Sequence, residues 1–213
     1  MRSKDRSKIA DYLKCYIILE TDLIKLPLEE FLNQCIEAGA KMFQLRNKHK
    51  TARENFHIGE SIKKILDGKD VFFIINDRVD LALCLDADGV HLGEKDLPAD
   101  IVKRKYKDLI IGYSCNNLSD INYANQTNVD YIGIGPAFPT KTKEDHRTVL
   151  SKEDYNKLLS HTNLPAVAIG GITPKNISKF HDIPISGFAV SSYICASENP
   201  FEAVKNILSF FHE

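Results

Sequence analysis

Short apolar runs alternate with amphipathic stretches along the whole chain. Residues 15–19 read CYIIL, which is typical of a buried strand, and residues 28–38 carry apolar side chains at helical spacing. Gly39 follows that helix, where a glycine commonly ends one. The same unit recurs, and it predicts strands over 15–19, 41–46, 71–75, 89–92, 109–113, 131–134, 165–169 and 187–190. The intervening helices are predicted over 28–38, 51–66, 79–83, 98–106, 118–127, 152–160, 174–180 and 200–211.

This alternation indicates an α/β protein with a parallel sheet, because parallel strands need crossover helices. Eight strand–helix units predict closure into a single (β/α)8 TIM barrel. The alternative is an open doubly wound sheet, but no GxGxxG opens the first unit, which counts against a dinucleotide-binding version. No linker or low-complexity stretch divides the chain. We therefore expect one domain over residues 1–213, with residues 1–13 forming a helical extension that caps the bottom of the barrel.

Composition narrows the class of protein further. Hydrophobic residues make up 43% of the 213 residues, which is enough for a sizeable core. The formal charge of -1 gives no general attraction to nucleic acid or anionic membranes, so an anion site has to be local. No apolar stretch approaches the ~20 residues of a membrane helix. The five cysteines are scattered without CxxC spacing, so we expect a soluble, cytoplasmic protein with reduced thiols, whose oligomeric state the sequence leaves open.

Polar residues follow the second predicted strand with a period of two. Gln44, Arg46 and Lys48 alternate with Phe43 and Leu45. Because alternate residues of a strand face the same side, the polar residues are predicted to face the barrel mouth and the apolar ones the helices. Inward cationic side chains are costly unless an anion pairs with them, which favours an anion site. The alternative is a solvated run of charges.

Two carboxylates follow neighbouring strands. Asp77 comes directly after Asn76 at the end of the third strand, and Asp96 follows the fourth. Carboxylates together with substrate phosphates are the usual ligands of Mg²⁺. The alternative for each aspartate is a helix N-cap. His91, alone within its strand, is interpreted as a packed or hydrogen-bonded residue and not as a ligand.

Two further strand ends are suited to phosphate. After the sixth strand, residues 135–143 read GPAFPTKTK, where Thr140, Thr142 and Lys143 can surround an anion. The alternative there is a mobile surface insertion. After the seventh strand, Gly171 allows close backbone approach, and residues 191–192 read SS at the start of the last helical region. Taken together, these strand ends indicate two anion sites, a basic one around Arg46, Lys48 and Lys143 and a backbone one around Gly171 and residues 191–192. Two such sites beside a metal site suggest a transferase for a diphosphate substrate and a phosphorylated acceptor.

Five motifs together resemble thiamine-phosphate synthases. They are QLRNK at 44–48, NDR at 76–78, GVHLGEKDLP at 89–98, GPAFPTKTK at 135–143 and AIGGI at 168–172. The resemblance covers residues 16–200. It implies condensation of hydroxymethylpyrimidine diphosphate with hydroxyethylthiazole phosphate, assisted by Mg²⁺. Diphosphate would leave first, and the thiazole nitrogen would attack the resulting pyrimidine-methyl cation.

The resemblance also implies residue roles. The pyrimidine diphosphate would be held by Gln44, Leu45, Arg46, Asn47, Lys48, Asn76, Ser114 and Lys143, of which Arg46, Lys48, Ser114 and Lys143 would be catalytic. The thiazole phosphate would be held by Thr140, Lys141, Thr142, Gly171, Ser191 and Ser192. Asp77 and Asp96 would hold Mg²⁺.

The chain departs from the family at two positions and leaves two alternatives. Asn116 stands where many members carry a histidine, and Ser191 stands where a small apolar residue is expected. One alternative function is thiazole tautomerase on the same barrel, a branch that carries a histidine where this sequence has Pro136, which cannot move a proton. The other is a non-catalytic phosphate-binding relative, which would be expected to lose the aspartate pair or Lys143.

Overall fold

Eight parallel strands form a closed barrel in sequence order in the computed structural model, which describes residues 6–139 and 148–211. Each strand pairs with the next, and the first pairs with the last. The strands are β1 Cys15–Leu19, β2 Met42–Leu45, β3 Phe72–Asn76, β4 Gly89–Leu92, β5 Ile110–Cys115, β6 Tyr131–Ile134, β7 Ala166–Ile169 and β8 Gly187–Val190. The predicted TIM barrel is therefore confirmed.

Helices surround the barrel. They are α1 Ile9–Tyr12, α2 Leu28–Glu37, α3 Ala52–Leu66, α4 Val79–Cys84, α5 Ala99–Lys105, α6 Leu118–Thr127, α7 Lys152–Leu159, α8 Ser192–Cys195 and α9 Pro200–Leu208. Short 3-10 helices cover Arg6–Lys8, Thr21–Leu23, Ile177–Phe180 and Ser209–Phe211.

Local sequence explains where the longer helices begin and end. Thr51 accepts a hydrogen bond from the backbone of Glu54, whose side chain bonds back to Thr51, and this capping box starts α3. Ser151 and Asp154 do the same for α7. Ala38 is the C-cap of α2, and the next residue, Gly39, has a φ of 110°, a conformation that favours glycine, so it ends the helix as predicted.

The strands are buried on both faces, as parallel strands covered by helices should be. Phe43 and Phe73 belong to the large cluster between barrel and helices. Met42 and Phe72, one position away on the same strands, belong to a smaller cluster inside the barrel. This alternation of inward and outward side chains sets which residues can reach the barrel mouth.

The N-terminal extension contacts side chains of the barrel interior. Its described part is a 3-10 turn followed by the single turn of α1. Ile9, Tyr12 and Leu13 belong to the interior cluster together with Phe72. The extension therefore packs against the interior cluster, and its role as a cap of the barrel stays a prediction. Residues 1–5 of the predicted helix lie outside the described residues.

The predicted helix over 174–180 is wrong. Only Ile177–Phe180 is helical, as a 3-10 turn. The side chain of Asn176 accepts a hydrogen bond from the backbone of Thr173 and donates one to the carbonyl of Gly171. A side chain that bonds the local backbone in this way competes with helix formation, which explains the late and short start.

Two further features concern the cysteine thiols and the lengths of the helices. All five cysteines are free thiols, and four of them are buried. Every helix within residues 6–139 and 148–211 is too short or too polar to traverse a lipid bilayer.

Candidate active site

A cavity of about 590 Å³ opens at the carboxyl ends of the strands. Its polar lining is formed by Tyr16, Glu20, Gln44, Arg46, Asn76, His91, Ser114, Ser191 and Ser192. Gly170 and Gly171 contribute backbone, and Ile18, Val167, Ile169 and Ala189 contribute apolar wall. The structure thus brings six side chains of the predicted site, together with Gly171, around one cavity.

The end of β2 has the predicted alternation. Gln44 and Arg46 are buried and line the cavity. Phe43 and Leu45 are buried in the outer layer. Because the Leu45 side chain packs against helices, only its backbone can contribute to substrate binding.

Glu20 is a cavity residue that the sequence did not single out. Its Oε1 atom accepts hydrogen bonds from Arg46 Nη1 at 3.0 Å and from Ser191 Oγ at 3.2 Å. Glu20 directly follows β1. Active-site residues of such barrels lie at the carboxyl ends of the strands, and the same reasoning applied to β1 predicts Glu20. The Glu20 carboxylate therefore links the side chains of Arg46 and Ser191 and holds the Arg46 guanidinium in place.

Asn47 and Lys48 lie beside the cavity and do not line it. The side-chain oxygen of Asn47 accepts a hydrogen bond from the backbone of Thr21 at 2.9 Å, which fixes the loop after β1. Its Nδ2 atom is buried and has no hydrogen-bond partner among the residues that the structure describes. Lys48 is exposed, but its charge acts on Asp77.

Asp77 and Asp96 form a carboxyl pair next to these cations. Burial and the Asp96 carboxylate raise the pKa of Asp77 to about 6, while the charges of Lys48 and Arg46 act in the opposite direction. Asp77 also has a positive φ of 61°, a backbone conformation uncommon outside glycine. Two carboxyl groups held in contact at some cost are the arrangement expected of a cation site.

The N-cap alternative for these two aspartates is wrong. The N-cap of α4 is Arg78, and that of α5 is Pro98. The Asp96 carboxylate instead accepts a hydrogen bond from the backbone of Gly93 at 2.7 Å. Neither carboxylate is used to start a helix, so both are available to a cation.

The donor set fits Mg²⁺ better than a softer metal. Within residues 6–139 and 148–211, no group of three or more His, Cys, Asp or Glu side chains lies close enough to hold a metal ion. Two carboxylates with the Asn76 amide nearby form an all-oxygen set that leaves positions for water and substrate phosphate. Mg²⁺ is usually bound in this way.

A chain of five polar side chains crosses the barrel beneath the cavity. The Gln44 Nε2 atom donates to the Tyr16 hydroxyl, which lies 2.8 Å from the Tyr131 hydroxyl. The Tyr131 hydroxyl is 3.1 Å from His91 Nδ1, and His91 Nε2 is 2.9 Å from Ser114 Oγ. We call this set the barrel chain. His91 is hydrogen-bonded, as expected from the sequence, and it also faces the cavity.

Gly112 makes room for the barrel chain. A Cβ atom added there would overlap the Tyr131 ring and the Nδ1 atom of His91. We expect Gly112→Ala to lower the free energy of unfolding by about 2 kcal/mol or more, because overpacking displaces buried side chains. Denaturant titration measures this. Gly93→Ala is the control, since its Cβ would lie 3.4 Å from Asp96 Oδ2, an ordinary van der Waals contact. Equal losses in both variants would refute the steric account.

The loops after β6 and β7 pack together over the cavity. The Phe138 backbone donates to the carbonyl of Gly170 at 3.0 Å, and the peptide between Gly135 and Pro136 is cis. Gly171 has a φ of 65°, and a Cβ there would lie 2.7 Å from the Pro139 carbonyl oxygen. Only glycine therefore permits this approach.

Thr140, Lys141, Thr142 and Lys143 lie outside the described residues. Asn116 donates from Nδ2 to the Gly135 carbonyl at 2.8 Å, so this departure from the family pattern holds the start of the β6 loop.

Comparisons with known proteins agree in pointing to one family. Residues 15–194 match the profile of the family described as thiamine monophosphate synthase. A thiamine-phosphate synthase of Clostridium tetani is 38% identical over 200 residues, covering 93% of this chain and 95% of the relative. One from Pyrococcus furiosus is 37% identical and covers 94% of this chain and 96% of the relative.

A solved structure supports the same relationship. The thiamine phosphate pyrophosphorylase of Pyrococcus furiosus superposes with a TM-score of 0.85 and 32% identity. The match covers 96% of this chain and 98% of that one. The likeness therefore extends over the whole barrel and includes the strand ends that carry the cavity.

Proposed function

The chain belongs to the thiamine monophosphate synthase family, and we propose that its barrel mouth joins hydroxymethylpyrimidine diphosphate to hydroxyethylthiazole phosphate. Membership makes it a transferase of thiamine biosynthesis. In the proposed reaction, the bond between the pyrimidine methylene carbon and the diphosphate oxygen breaks, and its electron pair leaves with diphosphate. The thiazole nitrogen then supplies the electron pair of the new C–N bond. The products are thiamine monophosphate and diphosphate.

The pyrimidine diphosphate is assigned to the side of the mouth formed by β2 to β5. Arg46 is buried there and oriented by Glu20 at 3.0 Å, and Lys48 and the aspartate pair lie beside it. Fixed cations stabilise charge that grows on a leaving diphosphate. Arg46, Lys48 and Lys143 are proposed to do so, and Gln44, Asn76 and Ser114 are proposed to hold the pyrimidine end; Lys143 lies outside the described residues.

Asp77 and Asp96 would hold Mg²⁺, which when bound supplies positive charge to the departing diphosphate. The carboxyl pair supports this assignment, because burial and mutual repulsion raise the pKa of Asp77 to about 6. A cation next to both groups would favour their ionised forms.

The thiazole phosphate is assigned to the part of the mouth formed by the ends of β7 and β8. Gly171, Ser191 and Ser192 line the cavity there. Thr140, Lys141 and Thr142, which lie outside the described residues, are proposed to complete the phosphate site. The apolar part of the cavity lining, which includes Ile18 and Val167, would limit the access of water to the pyrimidine-methyl cation. Because the thiazole nitrogen is itself the nucleophile, the barrel has only to position the two substrates.

We base this proposal chiefly on one arrangement: the buried Arg46 lines the cavity, and Lys48, Asp77 and Asp96 lie close to one another beside it. The test is to incubate the protein with both substrates, with Mg²⁺ or with EDTA, and to measure thiamine monophosphate and diphosphate. We expect equimolar products with Mg²⁺ and none with EDTA. Rearrangement of the thiazole phosphate alone, unaffected by EDTA, would instead support the tautomerase alternative.

Mg²⁺ is expected to stabilise the protein more at high pH than at low pH. The pKa of Asp77 is raised from 3.8 to about 6, so without metal its contribution to stability falls as pH rises through that window. Above pH 6 the cation meets the ionised form of Asp77, and below pH 6 it must displace the proton that Asp77 carries. We expect saturating Mg²⁺ to raise the Tm by about 3 °C at pH 8 and by at most about 1 °C at pH 5. Equal shifts at both pH values would contradict the site.

We also propose a cytoplasmic location. All five cysteines are free, including the exposed Cys84, and free thiols suit a reducing compartment. The partners proposed for the chain are its two small-molecule substrates, with no role for nucleic acid or membrane.

A further inference from the structure

The barrel chain has a direction that its hydrogen-bonding groups impose. The Gln44 amide donates to the Tyr16 oxygen, so the Tyr16 proton is free to be directed to Tyr131. Tyr131 then accepts from Tyr16 and directs its own proton to His91 Nδ1 at 3.1 Å. That nitrogen must be unprotonated, which places the ring proton on Nε2. His91 Nε2 then donates to Ser114 Oγ at 2.9 Å.

The opposite direction is less satisfactory. If Ser114 donated to His91 and His91 to Tyr131, then Tyr131 would donate to Tyr16, which already accepts from Gln44. The Tyr16 hydroxyl proton would then have no acceptor within the barrel chain. Because Tyr16 is only 1% exposed, water cannot readily take the place of that acceptor. An unsatisfied buried hydroxyl proton is costly, so the first direction is favoured.

Both tyrosines keep the protons that this direction needs. Burial raises the pKa of the Tyr16 hydroxyl well above its ordinary value, and burial together with the neighbouring Tyr16 does the same for Tyr131. The rings meet edge to face with centroids 5.7 Å apart. They therefore form a rigid pair of hydroxyl donors inside the barrel.

We propose that Tyr131 and His91 are positioning residues that make the Ser114 hydroxyl a hydrogen-bond donor to the substrate. Since Ser114 Oγ accepts from His91, the remaining Ser114 proton points to a partner other than the ring. Ser114 lines the cavity, so that partner is an acceptor atom of the bound pyrimidine diphosphate. This assignment rests on the proposed function, whereas the tautomer of His91 is a property of the free protein.

The tautomer is tested directly by nitrogen NMR of protein labelled with 15N-histidine and free of substrate. His91→Asn identifies the His91 signals by their disappearance. We expect the Nε2–H form in the wild-type protein and a substantial Nδ1–H population in Tyr131→Phe. A wild-type ring that is charged or protonated on Nδ1 would overturn the proposal, and so would an unchanged tautomer in Tyr131→Phe.

Turnover tests the consequence for Ser114. We expect Tyr131→Phe to lower kcat about tenfold with little change in KM, because a donor to the transition state loses its orientation. Tyr16→Phe, one step further back, is expected to lower kcat less. Ser114→Ala is expected to lower kcat more than either, and the Ser114→Ala, Tyr131→Phe double variant should be no slower than Ser114→Ala alone. Independent, multiplying losses would overturn the coupling.

Tyr155→Phe is the matched control. Tyr155 is a fully buried tyrosine whose hydroxyl donates to the Ile134 carbonyl at 2.8 Å, away from the barrel chain. It should leave both the His91 tautomer and kcat unchanged. If the wild-type protein makes no thiamine monophosphate, the proposed function fails, yet the NMR measurement still decides the direction of the barrel chain.

Discussion

Asp77→Asn is expected to lower kcat by about 100-fold or more at saturating Mg²⁺. The substitution keeps the shape of the side chain but removes one of the two charges that would hold the cation. It should not unfold the barrel. An ionised Asp77 is disfavoured in the folded protein, as its raised pKa of about 6 shows, so the metal-free variant should be as stable as the wild type above pH 6, or more stable.

Asp80→Asn is the matched control for this variant. Asp80 lies three residues further on, is exposed, and pairs with Arg78 at 2.5 Å. Loss of its charge should leave kcat unchanged. Steady-state kinetics measure kcat of both variants, and thermal melts show whether either has lost stability. A wild-type kcat in Asp77→Asn would show that Asp77 does not hold the metal.

Arg46→Gln is expected to reduce kcat/KM by about 100- to 1000-fold, the second large effect. The Arg46 side chain is only 9% exposed and is the donor nearest to Glu20. Glutamine keeps much of the length but cannot neutralise the leaving diphosphate, and it leaves the Glu20 carboxylate facing two anionic substrates. The loss should therefore appear in binding of the pyrimidine diphosphate as well as in turnover.

Arg78→Gln provides the comparison. Arg78 follows the next strand but is 48% exposed and is paired with Asp80. Its removal should change kcat/KM less than about twofold, as is usual for a surface ion pair. If both arginine variants lost activity to the same degree, the decisive property would be general surface charge and not the position of Arg46.

Much of the fold could be predicted because each strand is a short apolar run that is buried on both faces. Period-two alternation at Phe43, Gln44 and Leu45 gave the correct sides of β2. The predicted helix over 174–180 was wrong for a local reason. The Asn176 side chain accepts a hydrogen bond from the neighbouring backbone, and only a 3-10 turn forms after it. Such competition depends on side-chain rotamers, which hydrophobic periodicity does not report.

Part of the candidate site could also be predicted from the sequence. Strand-end position predicted Arg46, Asn76 and Ser191 as cavity residues. Applied to β1, it would also have predicted Glu20. The hydrogen-bond partners of His91 could not be predicted from the sequence. Tyr131 and Ser114 come from β6 and β5 and lie next to His91 only in the closed barrel.

A diphosphate and Mg²⁺ are proposed to share the mouth beside Arg46, Asp77 and Asp96. Isothermal titration of the protein with inorganic diphosphate tests it most directly. With Mg²⁺ present we expect binding at least about 100-fold tighter than with EDTA, a coupling lost in Asp77→Asn and retained in Asp80→Asn. Equal affinity with Mg²⁺ and with EDTA in the wild-type protein would contradict the claim.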